Sequence, residues 1–540
     1  MDEELYDVVV IGAGFAGLYL VHRCRGLGLS VVAYEAGDGV GGTWYWNRYP
    51  GARCDVESIE YSYQFDDDLQ QEWSWSERYS AQPEILDYAN HVADRFELRR
   101  NIVFETRVER AEWLEADRQW LVTVQPVAGG AASRVRGRYV VAATGCLSST
   151  NMPEIPGIDT FEGELYHTGN WPHDPVDFAG KRVGIVGTGS SSIQAIPEIA
   201  KQVGDDGSLH VFQRTAQYAI PARNAPLDRD LEAEIKADYP AFRAANEQMP
   251  GGFGSRFDVG ERAALETPHE EFVAEMERRW ENGGFSFLGA FPDVRLDEDA
   301  NRLAQDFVRG KIAGIVTDPE KARKLTPDTV IGCKRLVLDS GYFETFNRPN
   351  VDVVDISDRR GVDAITEAGI VANDELYELD VIVLATGFDA MTGTMLKIDW
   401  RGAGGATLAE EWHAGPRTYL GLGVVGFPNM FMVSGPGSPS VLTNMIVSIQ
   451  QHVEWITDCI VGLDARGIGR IEATPAAADD WVDHVNMVAD TTLYPRCNSW
   501  YLGANIPGKT RVFMPLPGYP PYVEKCDEVA ANDYEGFALA

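Results

Sequence analysis

Three groups of residues in this 540-residue chain have types and spacings suited to chemistry. The first is the basic pair Lys334-Arg335. An arginine stays charged and does not give up its proton, so it suits an anion that must remain one: a phosphate, or an oxyanion formed during a reaction. An adjacent Lys-Arg pair is also common as plain surface charge. The second group is the stretch GGTWYWNRYPGARCD, from Gly41 to Asp55. Trp44 and Trp46 flank Tyr45, and Tyr49-Pro50-Gly51 makes a stiff turn. Rings there can pack on a flat heteroaromatic ligand, while Asp55 serves equally as a helix cap or a solvated charge. The third is F-x-G-x-x-x-H-x-x-x-W-P at Phe161, Gly163, His167, Trp171 and Pro172. A histidine held between a glycine turn and a rigid Trp-Pro reads as a hinge before it reads as a reacting base.

Two glycine turns indicate what must position these groups. YDVVVIGAGFAGLYLVHRCRGLGLSVVAYEAG is a strand, a G-x-G-x-x-G turn at Gly12, Gly14 and Gly17, a helix and a second strand. The first glycine makes the turn, the second lets backbone approach a pyrophosphate, and the third lets the helix pack on the strand. The helix N-terminus offers N–H donors to phosphate. Glu35, at the end of the second strand, can accept hydrogen bonds from an adenosine ribose, which suits FAD. A second unit starts at KRVGIVGTGSSSIQAIPEIA, with Gly187 and Gly189 and with Ser192 in the third place. Its second strand ends in Gln213-Arg214, without an acid. An acid would repel a 2′-phosphate and an arginine can bind one, so this unit suits NADPH.

YVVAATGCLS and LDVIVLATGFD are both buried strands running into Ala-Thr-Gly, a turn expected where the chain passes a bound dinucleotide. The stretch from about 225 to 329 is charged and helical in pattern. The expected fold is therefore α/β, with two Rossmann-like dinucleotide-binding domains, for FAD and NADPH, and a helical insertion in the second. The expected boundaries are 1–145 and 379–540 for the FAD domain, 146–222 and 331–378 for the NADPH domain, and 223–330 for the insertion.

A formal charge of −35 disfavours nucleic acid and anionic membranes as partners. No apolar run approaches a membrane span, and the acidic start is unlike a signal peptide. The seven cysteines are scattered, with no CxxC. That pattern fits a reduced cytoplasmic compartment better than a disulfide framework or a zinc site, and no metal is expected. Few pairing surfaces are evident, so a monomer is expected.

The F-x-G-x-x-x-H-x-x-x-W-P stretch resembles the signature of the type I Baeyer–Villiger monooxygenases. Gly41, Gly42, Trp44, Tyr49, Pro50, Gly51 and Asp55 resemble the family's second, longer pattern, and the resemblance runs nearly the full chain. SGPGSPSVLTNMIVSIQQHVEWITD and SWYLGANIPGKTRVFM are more similar to the phenylacetone-oxidising branch than to the cyclohexanone-oxidising one. The departures are Ser192 and the proline-rich PLPGYPPYVEKCDEV.

The resemblance implies a flavin monooxygenase that takes a ketone and O2 to an ester or lactone. NADPH would reduce FAD, and a C4a-peroxyflavin would attack the ketone to give a tetrahedral adduct. It implies that Arg335 stabilises the reacting anions and that Asp55 orients Arg335. Thr43, Trp44, Tyr61, Val108 and Met445 would join Glu35 and the first glycines around FAD. Arg53, Thr188, Ser190, Ser191, Gln194 and Trp500 would touch NADP, with Arg214, Thr215 and Lys334 on its 2′-phosphate and Arg335 close by. Ser440, Val441, Leu442 and Met445 would line the ketone pocket. The nearest rival is a flavin-containing monooxygenase of amines or sulfides, against which Trp171-Pro172, Asp55 and Arg335 argue. A non-catalytic redox sensor is a second rival, against which Arg335 again argues. A disulfide reductase would need a cysteine pair beside the flavin.

Overall fold

The run LYDVVVI is apolar on both faces and forms the central strand Leu5–Ile11 of the first of two large sheets. The computed structural model describes residues 3–358 and 361–540. Strand by strand, this sheet runs Asp399–Arg401, Thr106–Leu114, Gln119–Pro126, Ser133–Ala142, Leu5–Ile11, Val31–Tyr34 and Ile102–Val103, and Met430–Met432 also pairs with Ser133–Ala142. The helix Phe15–Gly26 follows the central strand and packs on the long helix Met445–Ala465. Leu18 and Leu20 are fully buried there, each burial stabilising by roughly 1.5–3 kcal/mol. Tyr19 donates to Glu454 at 2.6 Å on the same contact. The C-terminal region thus completes the first domain.

The second sheet is wholly parallel, in the order Val351–Asp355, Ser208–Gln213, Arg182–Val186, Val381–Leu384, Glu164–His167. Between Pro221 and Val337 the described residues form helices, among them His269–Asn282 and Glu298–Ile315, and no strand. The strands on either side of this insertion, Ala219–Pro221 and Val337–Asp339, pair in parallel and close its neck. Both large sheets obey the crossover logic of doubly wound folds, with ligands expected at the carboxyl ends of the strands.

Two expectations need correction. The return to the first domain was expected at 379, yet Val381–Leu384 sits inside the second sheet between Arg182–Val186 and Glu164–His167. We place the crossing after the Ala385–Gly387 turn, because a strand belongs to the sheet that satisfies its backbone. The cysteines were expected to be reduced, yet Cys333 and Cys497 form a disulfide across 164 residues, with Cα atoms 6.1 Å apart. Spacing along the chain gave no sign of it because two separate segments bring the pair together. The other five cysteines are free and buried.

The two crossings between domains run side by side. Asn151 N–H donates to Gly387 at 2.9 Å, Asp389 N–H to Ser149 at 2.8 Å and Met391 N–H to Cys146 at 2.7 Å. No helix of the described residues is long and apolar enough to cross a membrane. None of the described His, Cys, Asp and Glu side chains form a group of three or more placed to hold a metal.

Candidate active site at the domain junction

The first glycine turn is shaped by close backbone contacts. Gly12 has φ +105°, and a Cβ there would lie 2.6 Å from the Ala143 carbonyl of the first Ala-Thr-Gly turn. A Cβ on Gly17 would fall 2.0 Å from the Gly12 carbonyl, and one on Gly14 3.2 Å from Gly42 Cα. Glu35 accepts from Ala13 N–H and Gly37 N–H, both at 2.8 Å. It therefore braces the turn, and each oxygen keeps a lone pair for a ribose. Burial raises its pKa, against those N–H groups and Arg107. Thr43 and Trp44 begin the short helix Thr43–Trp46, and Trp44 Nε1 donates to Tyr61 at 3.1 Å. Val108 lies buried in the strand Thr106–Leu114, and Met445 opens the long helix.

The second turn repeats the first. Gly187 has φ +111°, and a Cβ would lie 2.5 Å from the Ala385 carbonyl of the second Ala-Thr-Gly turn. Ser192 fits where Gly17 stands in the first unit because its hydroxyl donates to the Gly187 carbonyl at 2.5 Å. Gly189 caps the helix Ser190–Val203, and a Cβ there would meet nothing within 4 Å. That open cradle, lined by the partnerless N–H groups of the first turn at Ser190 and Ser191, fits a pyrophosphate. Thr188 donates to the Thr215 carbonyl at 2.7 Å. Gln194 accepts from Tyr49 OH at 2.8 Å and donates to the Arg53 carbonyl at 3.0 Å, and Gly51 packs on its backbone. The Tyr49–Arg53 turn of the first domain is thereby fixed to the second domain's helix. The Arg53 side chain is occupied with Glu77 and the Tyr79 carbonyl.

Arg214 is exposed beside Lys334. Burial, and then the charge of Arg214, lower the Lys334 pKa, and Asp328 offsets this in part. Two cations that feel each other's charge in this way fit a dianionic phosphate.

Arg335 meets Asp55 from 280 residues away. Its Nε donates to Oδ2 at 2.9 Å and Nη2 to Oδ1 at 2.7 Å, a forked pair, while Nη1 donates to the Val441 carbonyl at 2.7 Å. The side chains are 22% and 27% exposed, so the pair is not sealed from solvent. Burial alone would lower the Arg335 pKa, but Asp55 and the Tyr501 hydroxyl outweigh it and keep the guanidinium charged. Val441 belongs to a constrained segment: Ser434 and Ser440 hold φ of +59° and +43°, unusual for residues with a Cβ. Leu442 follows it, half-buried.

The sequence reading missed two contacts of Arg335. Phe285, from the helical insertion, lies with its ring centre 4.9 Å from the guanidinium carbon. Tyr501, directly after Trp500, comes close enough for its hydroxyl and the guanidinium to interact electrostatically. Nothing local marks Phe285; for Tyr501 the only signal was its place beside Trp500.

His167 ends the edge strand Glu164–His167 and is 6% exposed. Its Nδ1 accepts from Gly169 N–H at 3.0 Å, so Nε2 carries the proton and donates to Thr386 Oγ1 at 3.2 Å. Thr386 donates onward to the Asn151 carbonyl at 2.6 Å. The imidazole therefore touches both crossings between the domains, and burial lowers its pKa. Trp171 stacks on Phe178, Pro172 follows it, and a Cβ on Gly163 would strike Phe161 and the Asp380 carbonyl, both at 2.5 Å.

Residues 6–206 match the family model described as flavin-binding monooxygenase-like. The chain is 43% identical over 514 residues to a Baeyer–Villiger monooxygenase of Pseudooceanicola batsensis, covering 94% of this chain and 91% of that one. It is 40% identical over 545 residues to a phenazine N-monooxygenase of Lysobacter antibioticus, covering 100% and 98%. Among solved structures it superposes on an oxidised steroid monooxygenase bound to NADP with a TM-score of 0.91, at 52% identity, covering 99% of both chains. With 43% identity over 94% of this chain and 91% of that relative, the chain belongs to the Baeyer–Villiger monooxygenase family.

Proposed function

We propose that the chain is an FAD- and NADPH-dependent Baeyer–Villiger monooxygenase that inserts one oxygen atom of O2 beside a ketone carbonyl, giving an ester or lactone. The observation that carries this reading is the forked Arg335–Asp55 pair, which joins segments 280 residues apart and remains partly open to solvent. Bound FAD, once reduced by NADPH, supplies the activated oxygen. The chain's part is to hold both cofactors, exclude water and stabilise charge. Arg335 is fixed by Asp55 and the Val441 carbonyl, so it meets negative charge at the reacting oxygens without reorganising and without a proton to give away. Asp55 orients the guanidinium and softens its field. The Gly12 turn and Glu35 hold FAD with Thr43, Trp44, Tyr61, Val108 and Met445. The Gly187 turn, Arg53, Gln194 and Trp500 hold NADP, with Lys334, Arg214 and Thr215 on its 2′-phosphate. Ser440 to Leu442 and Met445 line the ketone pocket. His167 acts as a hinge pin between the two crossings.

The N-oxidising relative supports heteroatom oxidation as a side activity. The protein acts as a cytoplasmic monomer without nucleic-acid or membrane partners, in keeping with its charge of −35. The test is isotopic. FAD-loaded protein receives NADPH, ¹⁸O2 and a mixture of ketones and a thioether. An ester or lactone carrying one labelled oxygen supports the proposal; labelled sulfoxide alone refutes it in favour of the heteroatom oxidiser.

A further inference from the structure

Cys333 immediately precedes Lys334-Arg335, and Cys497 lies three residues before Trp500. Their bond runs alongside a second point where the same two segments come close, Arg335 and Tyr501, whose side chains interact electrostatically. The two segments are thus cross-linked at 333–497 and approach each other again at 335 and 501. The Cys333 side is firmly anchored: Asn301, within the insertion helix Glu298–Ile315, accepts from Ile331 N–H at 3.1 Å and donates to the Ile331 carbonyl at 2.9 Å. The Cys497 side is tied at Leu493, whose N–H donates to the Arg295 carbonyl at 2.9 Å, and at Tyr501, whose carbonyl accepts from Met514 N–H at 3.0 Å, so opening the bond loosens the stretch between those two ties. Cys333 is buried and Cys497 half-buried, so a reagent reaches Cys497 first. The Val330 carbonyl lies 2.9 Å from Cys333 Sγ, ready to accept from its thiol in the open state. The five remaining cysteines are buried, and burial pushes Cys24, Cys459 and Cys526 up to about 12 and raises Cys54 and Cys146 as well. Thiol chemistry is therefore confined to the one pair.

We propose that Cys333 and Cys497 form an oxidative modification site, closed by peroxides and opened by dithiols, whose closure clamps Tyr501 and Trp500 onto the Arg335 segment. In closing, one thiolate attacks a peroxide oxygen, the O–O bond breaks, and a sulfenic acid and water (or an alcohol) form. The second thiol then displaces water from the sulfenic sulfur to give the disulfide. In opening, a dithiol delivers two electrons and two protons by thiol–disulfide exchange and leaves as its own disulfide. The clamp's effect on cofactor rests on the reading of Trp500 as an NADP contact; the state of the pair does not.

The full-length FAD-loaded protein is treated with hydrogen peroxide or with dithiothreitol, desalted, denatured, alkylated and weighed. Five adducts are expected after peroxide and seven after dithiothreitol, with peptide mapping assigning the difference to Cys333 and Cys497. Seven adducts in both states, or a different pair, would overturn the site. NADP+ affinity is then compared between the two states. The reduced protein and Cys497→Ser should bind about fivefold more weakly than the oxidised wild type, and the variant should not respond to peroxide. Equal affinity despite different thiol counts would overturn the clamp. If neither state binds NADP+, the cofactor reading fails, and the clamp is judged by limited proteolysis of residues 494–503. Faster cleavage in the reduced form upholds it and equal cleavage overturns it.

Discussion

Replacing Arg335 with alanine separates two quantities that the structure ties to one side chain. The guanidinium makes two hydrogen bonds to Asp55 and one to the Val441 carbonyl, and it carries the Phe285 ring. Removing one partner of a buried ion pair costs about 3–5 kcal/mol. At 22% and 27% exposure water still reaches this pair, so the stability loss should be about 2–3 kcal/mol. The rate effect is separate. A fixed donor lost from the place where negative charge develops costs about 10²–10³ in rate, or about 2.7–4 kcal/mol. The assay measures both half-reactions. Anaerobic stopped-flow follows flavin reduction by NADPH, and gas chromatography follows ester from a ketone in air. Arg335→Ala should still take up FAD and be reduced, but form ester at least about a hundredfold more slowly. Arg335→Lys keeps the charge and loses the fork, so it should fall between. A double-mutant cycle with Asp55→Ala should give a coupling of about 2 kcal/mol in stability. Ester formation at the wild-type rate by Arg335→Ala would remove the residue from the mechanism, and a coupling near zero would refute the pair as its orienting device.

The glycines offer a contrast. Gly189→Ala places its methyl in open space at φ −81°, so the thermal midpoint should hold while KM for NADPH rises at least about tenfold; an unchanged KM would mean that no pyrophosphate sits there. Gly17→Ala drives Cβ to 2.0 Å from the Gly12 carbonyl and should abolish FAD retention, read from the flavin absorbance of the purified protein. Two buried groups should give pH dependences of opposite sign. Burial lowers the His452 pKa to about 3; Nδ1 accepts from Ser434 N–H at 2.9 Å and Nε2 meets Tyr522 OH at 2.8 Å. Because this value lies below the unfolded one, its stability is present above about pH 6.5 and is lost as pH falls, by about 1 kcal/mol between pH 6 and 5. His452→Gln should flatten that slope in denaturant melts. Burial first, and then the Glu57 charge, raise the Glu60 pKa to about 7. Its stability is therefore present below about pH 4.5 and lost as pH rises through 7, and Glu60→Gln should recover about 2–3 kcal/mol at pH 8. No gain at pH 8 would show the carboxylate to be compensated in the fold.

Both dinucleotide turns were legible because they rest on short-range sterics. Gly12 and Gly187 must take positive φ, and Gly17 must admit a helix against a carbonyl, whatever the rest of the chain does. The apolar strands and the strand-free insertion were likewise written in local periodicity. The strand at 381–384 shows the limit: its sequence identifies a buried strand, but which sheet it joins depends on the partners that satisfy its backbone.

The site divides along the same line. From the residues alone, Arg335 was a cation of undecided use and Asp55 a cap or a solvated charge; family resemblance supplied their pairing, and the fold supplies the distances. Phe285 could not be read from the sequence, because a ring in a helical insertion carries no sign of the guanidinium it will cover. The disulfide went against expectation for the same reason, since 164 residues separate its cysteines. The sequence by itself determined two nucleotide-binding turns, the sign of the protein's charge and the residue types available for chemistry. Tertiary structure alone decided which of those residues meet, because contacts between distant segments are set by how sheets and insertion pack together, and that information is spread over the whole chain.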